Sequence, residues 1–124
     1  MKLASHLASG RDAENLALAM LTAGGLRLLT RNYRCPQGEL DLVMAEGETL
    51  VMVEVRYRRE RGFGDAATSV DGRKQRKLLH AAQHFLLQDA SLRRKPLRFD
   101  VVAVSVTGNG EMKTDWIKDA FRAD

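Results

Sequence analysis

A chain of 124 residues is long enough to bury a core without disulfide or metal staples, and a single domain spanning 1–124 is expected. Hydrophobic residues at 44% and charged residues at 29% exclude a disordered chain, and no apolar run approaches the roughly 20 residues of a membrane span. Lys and Arg number 20 against 16 Asp and Glu, a net +4 that permits an anionic partner without identifying one.

The one cysteine, Cys35, precludes an internal disulfide and fits a reducing compartment. With no His beside it in sequence, it reads as a plain thiol before Pro36. The opening MKLASHLASG lacks an uninterrupted apolar segment of signal-peptide length, so a cytoplasmic protein is expected.

Residues 1–10 read as a loosely held lead-in. From Asp12 to Ala23, the recurrence of Ala13, Leu16, Ala17 and Met20 predicts a helix capped by Asp12 and ended by Gly24-Gly25. Glu14 falls in its first turn, where the helix dipole alone is sufficient reason for a carboxylate. Leu26–Arg31 reads as a strand, followed by a polar connection over Asn32–Gly38.

Glu39 to Arg56, ELDLVMAEGETLVMVEVR, predicts a hairpin about Gly47-Glu48, with Gly at the first central position of a type II′ turn. That register pairs Met44 with Val51, Leu42 with Val53 and Leu40 with Val55. Period-two alternation then puts all six on one apolar face. On the other face Asp41 lies opposite Glu54, and Glu39 opposite Arg56. Like charges directly opposite are destabilising, so the acidic pair calls for a cation; a solvated acidic face neutralised by Arg56 is the alternative.

Tyr57 to Val70 shows no period, and Gly62 and Gly64 flank Phe63, as in a loop that closes over a ligand or mediates self-association. A helix follows from Gly72 to Asp89, capped by Asp71, with Leu78, Ala81, Ala82, Phe85 and Leu86 as its buried stripe. Its first turns carry Arg73, Lys74, Arg76 and Lys77. Cations there oppose the helix dipole, whereas free N–H groups and basic side chains make a phosphate site; a solvated face is the competing account. His80 and His84 share i, i+4 spacing but lack the Glu of a zinc-protease helix, and they read as flanking the stripe. A basic linker, Ser91–Pro96, leads to a β-branched strand, Leu97–Val106, with Asp100 a polar residue near the strand's edge and a catalytic role the lesser alternative. A Gly-Asn-Gly turn over Thr107–Glu111 precedes a short closing helix or irregular segment, Thr114–Phe121, whose Trp116, Ile117 and Phe121 cover the core.

Asp41 with the Glu54-Val55-Arg56 triplet supplies oxygen ligands on two adjoining strands, a donor set suited to Mg²⁺ or Mn²⁺. G-E-L-D-L-V, V-M-V-E-V-R and R-F-D-V-V together resemble the bacterial YraN family, and the first two resemble the D…(D/E)-x-K core of the PD-(D/E)-x-K nuclease superfamily. The resemblance covers nearly the whole chain. It implies an α/β, restriction-endonuclease-like αβββαβ core, a mixed central sheet flanked by helices, similar to archaeal Holliday-junction resolvases. It also implies a metal site of Glu14, Asp41 and Glu54, with Asp41, Glu54 and Arg56 as the catalytic set. Leu40 stands where the motif has proline, and Arg56 where it has lysine. Arginine supplies charge and donors but is not a base.

Twelve of the 20 basic residues fall in three clusters: Arg56, Arg58, Arg59 and Arg61; Arg73, Lys74, Arg76 and Lys77; Arg93, Arg94, Lys95 and Arg98. The first two bracket the loop, so Arg58, Arg59, Arg73, Lys74 and Lys77 are the expected nucleic-acid contacts. Aromatics at 6% are too few for a base-stacking surface, which favours backbone contacts. The expected function is a metal-dependent endonuclease on DNA, branched or damaged. The alternatives are a non-catalytic nucleic-acid-binding or adaptor protein on the same fold and a protein-binding role for the Gly62–Gly64 loop. Resolvases of this fold work as dimers, so the resemblance admits a homodimer.

Overall fold

Two successive hairpins, one crossover and a third hairpin generate the sheet. The computed structural model describes residues 10–59 and 70–122. Strands β1 (Arg27–Cys35), β2 (Gly38–Glu46), β3 (Thr49–Arg59), β4 (Leu97–Val106) and β5 (Met112–Phe121) lie in the order β1-β2-β3-β4-β5. Only β3 and β4 are parallel, because the chain crosses between them through α2 (Gly72–Leu86) and a 3₁₀ turn (Ala90–Arg94). The result is the expected α/β fold with a mixed sheet.

Helix α1 (Gly10–Ala23) covers one face and α2 the other. Ala13, Ala17 and Leu21, spaced by four, pack with Leu42, Met44, Val51, Val53, Val102 and Val104. On the far face Leu78, Ala81 and Ala82 pack with Val43, Met52, Phe99 and Val101. Burial on both faces gives β2, β3 and β4 their near-continuous apolar runs. Helix α1 starts at Gly10, so Asp12 lies inside its first turn rather than capping it. It closes at Gly25, whose φ of 103° is open chiefly to glycine, and Leu26 N–H donates back to Leu21. Gly24 has a different reason to be small. A Cβ there would stand 2.9 Å from the Trp116 ring, so Gly24→Ala is expected to cost about 1–3 kcal/mol, read as a lower urea midpoint at unchanged m-value.

The β2–β3 turn forms at Gly47-Glu48 as expected, with Gly47 at φ 60° and Met44 and Leu42 opposite Val51 and Val53. The pairing ends there. β2 continues along β1 to Gly38, while β3 continues along β4 to Arg59 opposite Val106. The expected pairs Leu40–Val55, Asp41–Glu54 and Glu39–Arg56 are therefore replaced by a parting of the strands. Leu40 leaves the expected face and packs beneath α2 with Leu78.

Three further expectations change. β1 extends to Cys35, and its connection to β2 shrinks to Pro36-Gln37, a place where proline's missing N–H costs no ladder bond. Helix α2 stops at Leu86; Leu87 N–H folds back onto Gln83 and His84 carbonyls, and Asp89 caps the 3₁₀ turn through Ser91 N–H at 3.0 Å. The segment expected as a closing helix is strand β5. Its Trp116 still joins the α1-side core, and Ile117 and Phe121 the α2-side core, as expected.

Candidate metal and nucleic-acid site

The parting of β2 and β3 creates the site. Beyond Leu42–Val53 the Val55 N–H has no ladder partner from β2, and Asp41 supplies one: its Oδ2 accepts that N–H at 2.8 Å. This fixes the Asp41 carboxylate against β3. Burial, then the charge of Glu54, push its carboxyl up to about 7; the Val55 N–H opposes the rise, and Glu14 and Glu39 add to it. Asp41 thus joins the three acidic positions drawn from α1, β2 and β3, and it bears the strain of their proximity.

Glu54 is 5% exposed and turns toward α2. Its Oε2 lies 3.5 Å from Arg56 Nη1 on its own strand and 3.5 Å from Lys74 Nζ on the first turn of α2. Arg56 therefore shares the face of Glu54, as its i+2 spacing requires. Lys74 comes closer to the acidic centre than a phosphate-tracking surface residue would. Asp71 caps α2 by accepting Lys74 N–H at 2.9 Å, as expected.

Glu14 is held by β1. Asn32 Nδ2 donates to both its oxygens, at 3.0 and 3.1 Å, and Arg31 Nη2 approaches at 3.1 Å. Arg31 Nη2 also donates to Asn15 at 2.8 Å, while its buried Nε lacks a partner. Asn32 has φ 54°, a left-handed conformation that asparagine tolerates better than most residues. It falls between the pairs Arg31–Leu42 and Tyr33–Leu40, so the irregularity sits opposite Asp41. Neither residue stood out in the sequence; the available signal was an Asn inside an otherwise strand-like segment. Among the described residues, no three His, Cys, Asp or Glu side chains converge as ready-made metal ligands.

Among the expected nucleic-acid contacts, Arg58, Arg73 and Lys77 are exposed, and Arg59 is the last residue of β3. Arg61 and the Gly62–Gly64 loop lie outside the described residues. The third basic cluster is spent partly on structure, for Lys95 pairs with Glu48 at 2.5 Å and Arg98 with Glu46 at 2.7 Å.

Asp100 is not at a strand edge. It is fully buried, and its carboxylate accepts from Arg98 Nε at 2.8 Å and Nη2 at 2.9 Å, from Trp116 Nε1 at 2.9 Å and from Asp119 N–H at 2.9 Å. It joins β4 to β5 at the bulge where Asp119 takes φ 53°. His84 Nδ1 is hydrogen-bonded to the Tyr33 hydroxyl and His80 is exposed, so both flank the stripe as expected. Cys35 is a free thiol donating to the Gly38 carbonyl at 3.5 Å.

A mixed five-stranded sheet between two helices, with carboxylates gathered where two central strands part, is an α/β fold consistent with a restriction-endonuclease-like core. The family model described as "Uncharacterised protein family UPF0102" matches residues 13–104. Similar chains include a UPF0102 protein of Pseudomonas putida (strain W619), 52% identical over 98% of both chains. Others are from Stutzerimonas stutzeri (strain A1501), 53% identical over 93% of this chain and 95% of the relative, and Nitrosococcus oceani, 48% identical over 100% and 99%. This chain belongs to the UPF0102 family, the YraN family that its motifs resemble.

Proposed function

We propose that this chain is a metal-dependent phosphodiesterase acting on DNA, in the manner of an endonuclease for branched or damaged duplexes. The observation that carries it is the placement of two carboxylates where β2 and β3 separate: Asp41 pinned by the Val55 N–H, and Glu54, next to Val55 in the chain, held by two cations. Burial first, and then the acidic neighbours, push Asp41 up to about 7, a rise that a bound cation would oppose.

Hard carboxylate oxygens on two strands fit Mg²⁺ or Mn²⁺, which keep several waters and accept phosphate oxygens. Asp41 and Glu54 would hold the ion, and Glu14 would join them by exchanging Arg31 and Asn32 for it. When bound, such an ion polarises the phosphodiester and makes its own water more acidic. Arg56 places a fixed guanidinium fork beside Glu54, where it stabilises charge developing on the phosphate. Arg58, Arg59, Arg73 and Lys77 would track the DNA backbone, giving affinity that falls steeply with salt. A cytoplasmic location suits this work and the free Cys35 thiol; among the described residues no helix is long and apolar enough to cross a membrane.

Asp41→Ala is expected to lower Mn²⁺-dependent cleavage of branched DNA by at least about 10³-fold while keeping the native circular-dichroism spectrum. Cleavage retained by that variant would sink the proposal. One set of contacts favours a second function. Glu14 and Glu54 already have internal partners, so a DNA-binding or adaptor protein without turnover is the alternative. It would show salt-sensitive DNA binding, no product in either metal, and no change on Glu54→Ala.

A further inference from the structure

Two cations meet one buried carboxylate, and only one of them comes from the motif strand. Lys74 Nζ stands as close to Glu54 Oε2 as Arg56 Nη1 does, each at 3.5 Å. The two ends of the Lys74–Glu54 pair differ in freedom, for the Glu54 side chain is 5% exposed and the Lys74 side chain 37%. The Lys74 backbone is anchored, because its N–H is donated to the N-cap Asp71. The four-carbon stem beyond it is, as in any lysine, flexible enough to change partners. An ammonium in a first helical turn opposes the helix dipole, so helix stability does not account for it. Neighbouring Arg73, Arg76 and Lys77 are exposed in the same turns, and Lys74 alone of the four is paired with Glu54.

We propose that Lys74 serves the phosphodiester under attack. In the metal-free protein its ammonium is a counter-ion of Glu54. In the loaded site it leaves Glu54 and donates its hydrogen bonds to a non-bridging phosphate oxygen. The inference rests on the phosphodiesterase function proposed above and assigns a residue of α2 to it.

Arg56 and Lys74 then divide the work of the motif's missing lysine. Arginine presents a planar, rigid fork, whereas lysine is a compact point charge on a flexible stem and can change partners. In the hydrolysis the water oxygen forms a bond to phosphorus and releases its proton to solvent. The bond from phosphorus to the leaving sugar oxygen breaks with its electron pair, and that oxygen takes a proton from solvent. Lys74 exchanges no proton; it stabilises the charge spreading over the phosphoryl oxygens.

The test compares the intact wild-type chain with Lys74→Gln, Asp41→Asn and Arg94→Gln, an exposed basic residue of the 3₁₀ turn outside the site. Mn²⁺ affinity without DNA is measured by titration calorimetry, and cleavage on a branched DNA. Lys74→Gln is expected to cleave about 100-fold more slowly. It is also expected to bind Mn²⁺ about two- to fivefold more tightly, since a competitor for Glu54 is gone. A merely structural lysine would not tighten metal binding. Arg94→Gln should match the wild type in both measurements. Unchanged Mn²⁺ affinity or unchanged cleavage in a folded Lys74→Gln overturns the role of Lys74 and leaves the metal site standing. A wild-type chain that binds no Mn²⁺, or an Asp41→Asn variant that binds it equally well, overturns the underlying function instead.

Discussion

Asp100→Ala is expected to lower stability by about 3–5 kcal/mol, the range found when one partner of a buried ion pair is removed. Against a typical total of about 5–15 kcal/mol, that leaves a large unfolded fraction at 37 °C. The loss has named parts. Arg98 keeps only Glu46, the Trp116 indole N–H and the Asp119 amide lose their acceptor, and the strand carrying Trp116, Ile117 and Phe121 is no longer tied to β4. Asp100→Asn keeps acceptor capacity but not charge, so it should fall between alanine and wild type. Urea unfolding of the three proteins checks this; an alanine variant within about 1 kcal/mol of wild type would contradict it.

The second large effect is a pH dependence that flattens in one variant. In the folded chain the Asp41 carboxyl is raised from 3.8 to about 7. A raised carboxyl binds its proton more tightly when folded, so its favourable contribution is complete below the unfolded value. It is lost as pH climbs through about 7. Metal-free stability should therefore decline between roughly pH 4 and pH 7. Asp41→Asn, which still offers an oxygen to the Val55 N–H, should flatten this decline and exceed the wild type at pH 8 by about 2–4 kcal/mol, at about 1.4 kcal/mol per unit. Thermal melts at pH 5 and pH 8 in chelator provide the comparison. An equal slope in the two proteins would show that Asp41 is not the strained group. In the metal site proposed above, the carboxyl that weakens the metal-free fold would be the one that supplies a ligand.

Much of this was legible without coordinates, because it is local. Helix α1 and the buried stripe of α2 follow from 3.6-residue spacing, the Asp71 cap from its side chain, and the Gly47 turn from its tolerance of positive φ. That Arg56 shares the face of Glu54 was visible for the same reason: alternation along a strand assigns side chains to a face before any fold is known. The motifs G-E-L-D-L-V and V-E-V-R brought the family with them.

Other features depended on contacts between distant segments. Alternation cannot show that β2 and β3 part after Leu42–Val53, since that follows from each strand having a different second neighbour. β5 carries Lys113, Asp115 and Lys118 among its apolar residues and has little periodicity of its own. It becomes a strand because β4 offers an open edge and Asp100 accepts the amide at its bulge. Asp100 reads as an edge residue until Arg98 and Trp116 are seen to satisfy it. Lys74, some 20 positions from Glu54 in the chain, reaches it only because the crossover sets the start of α2 over β3. The sequence by itself determined the two helices, the Gly47 turn, the β4 strand and the family, all carried by neighbours in the chain. The tertiary structure alone decided how the carboxylates are partnered, because long-range packing chooses which charges share a buried space.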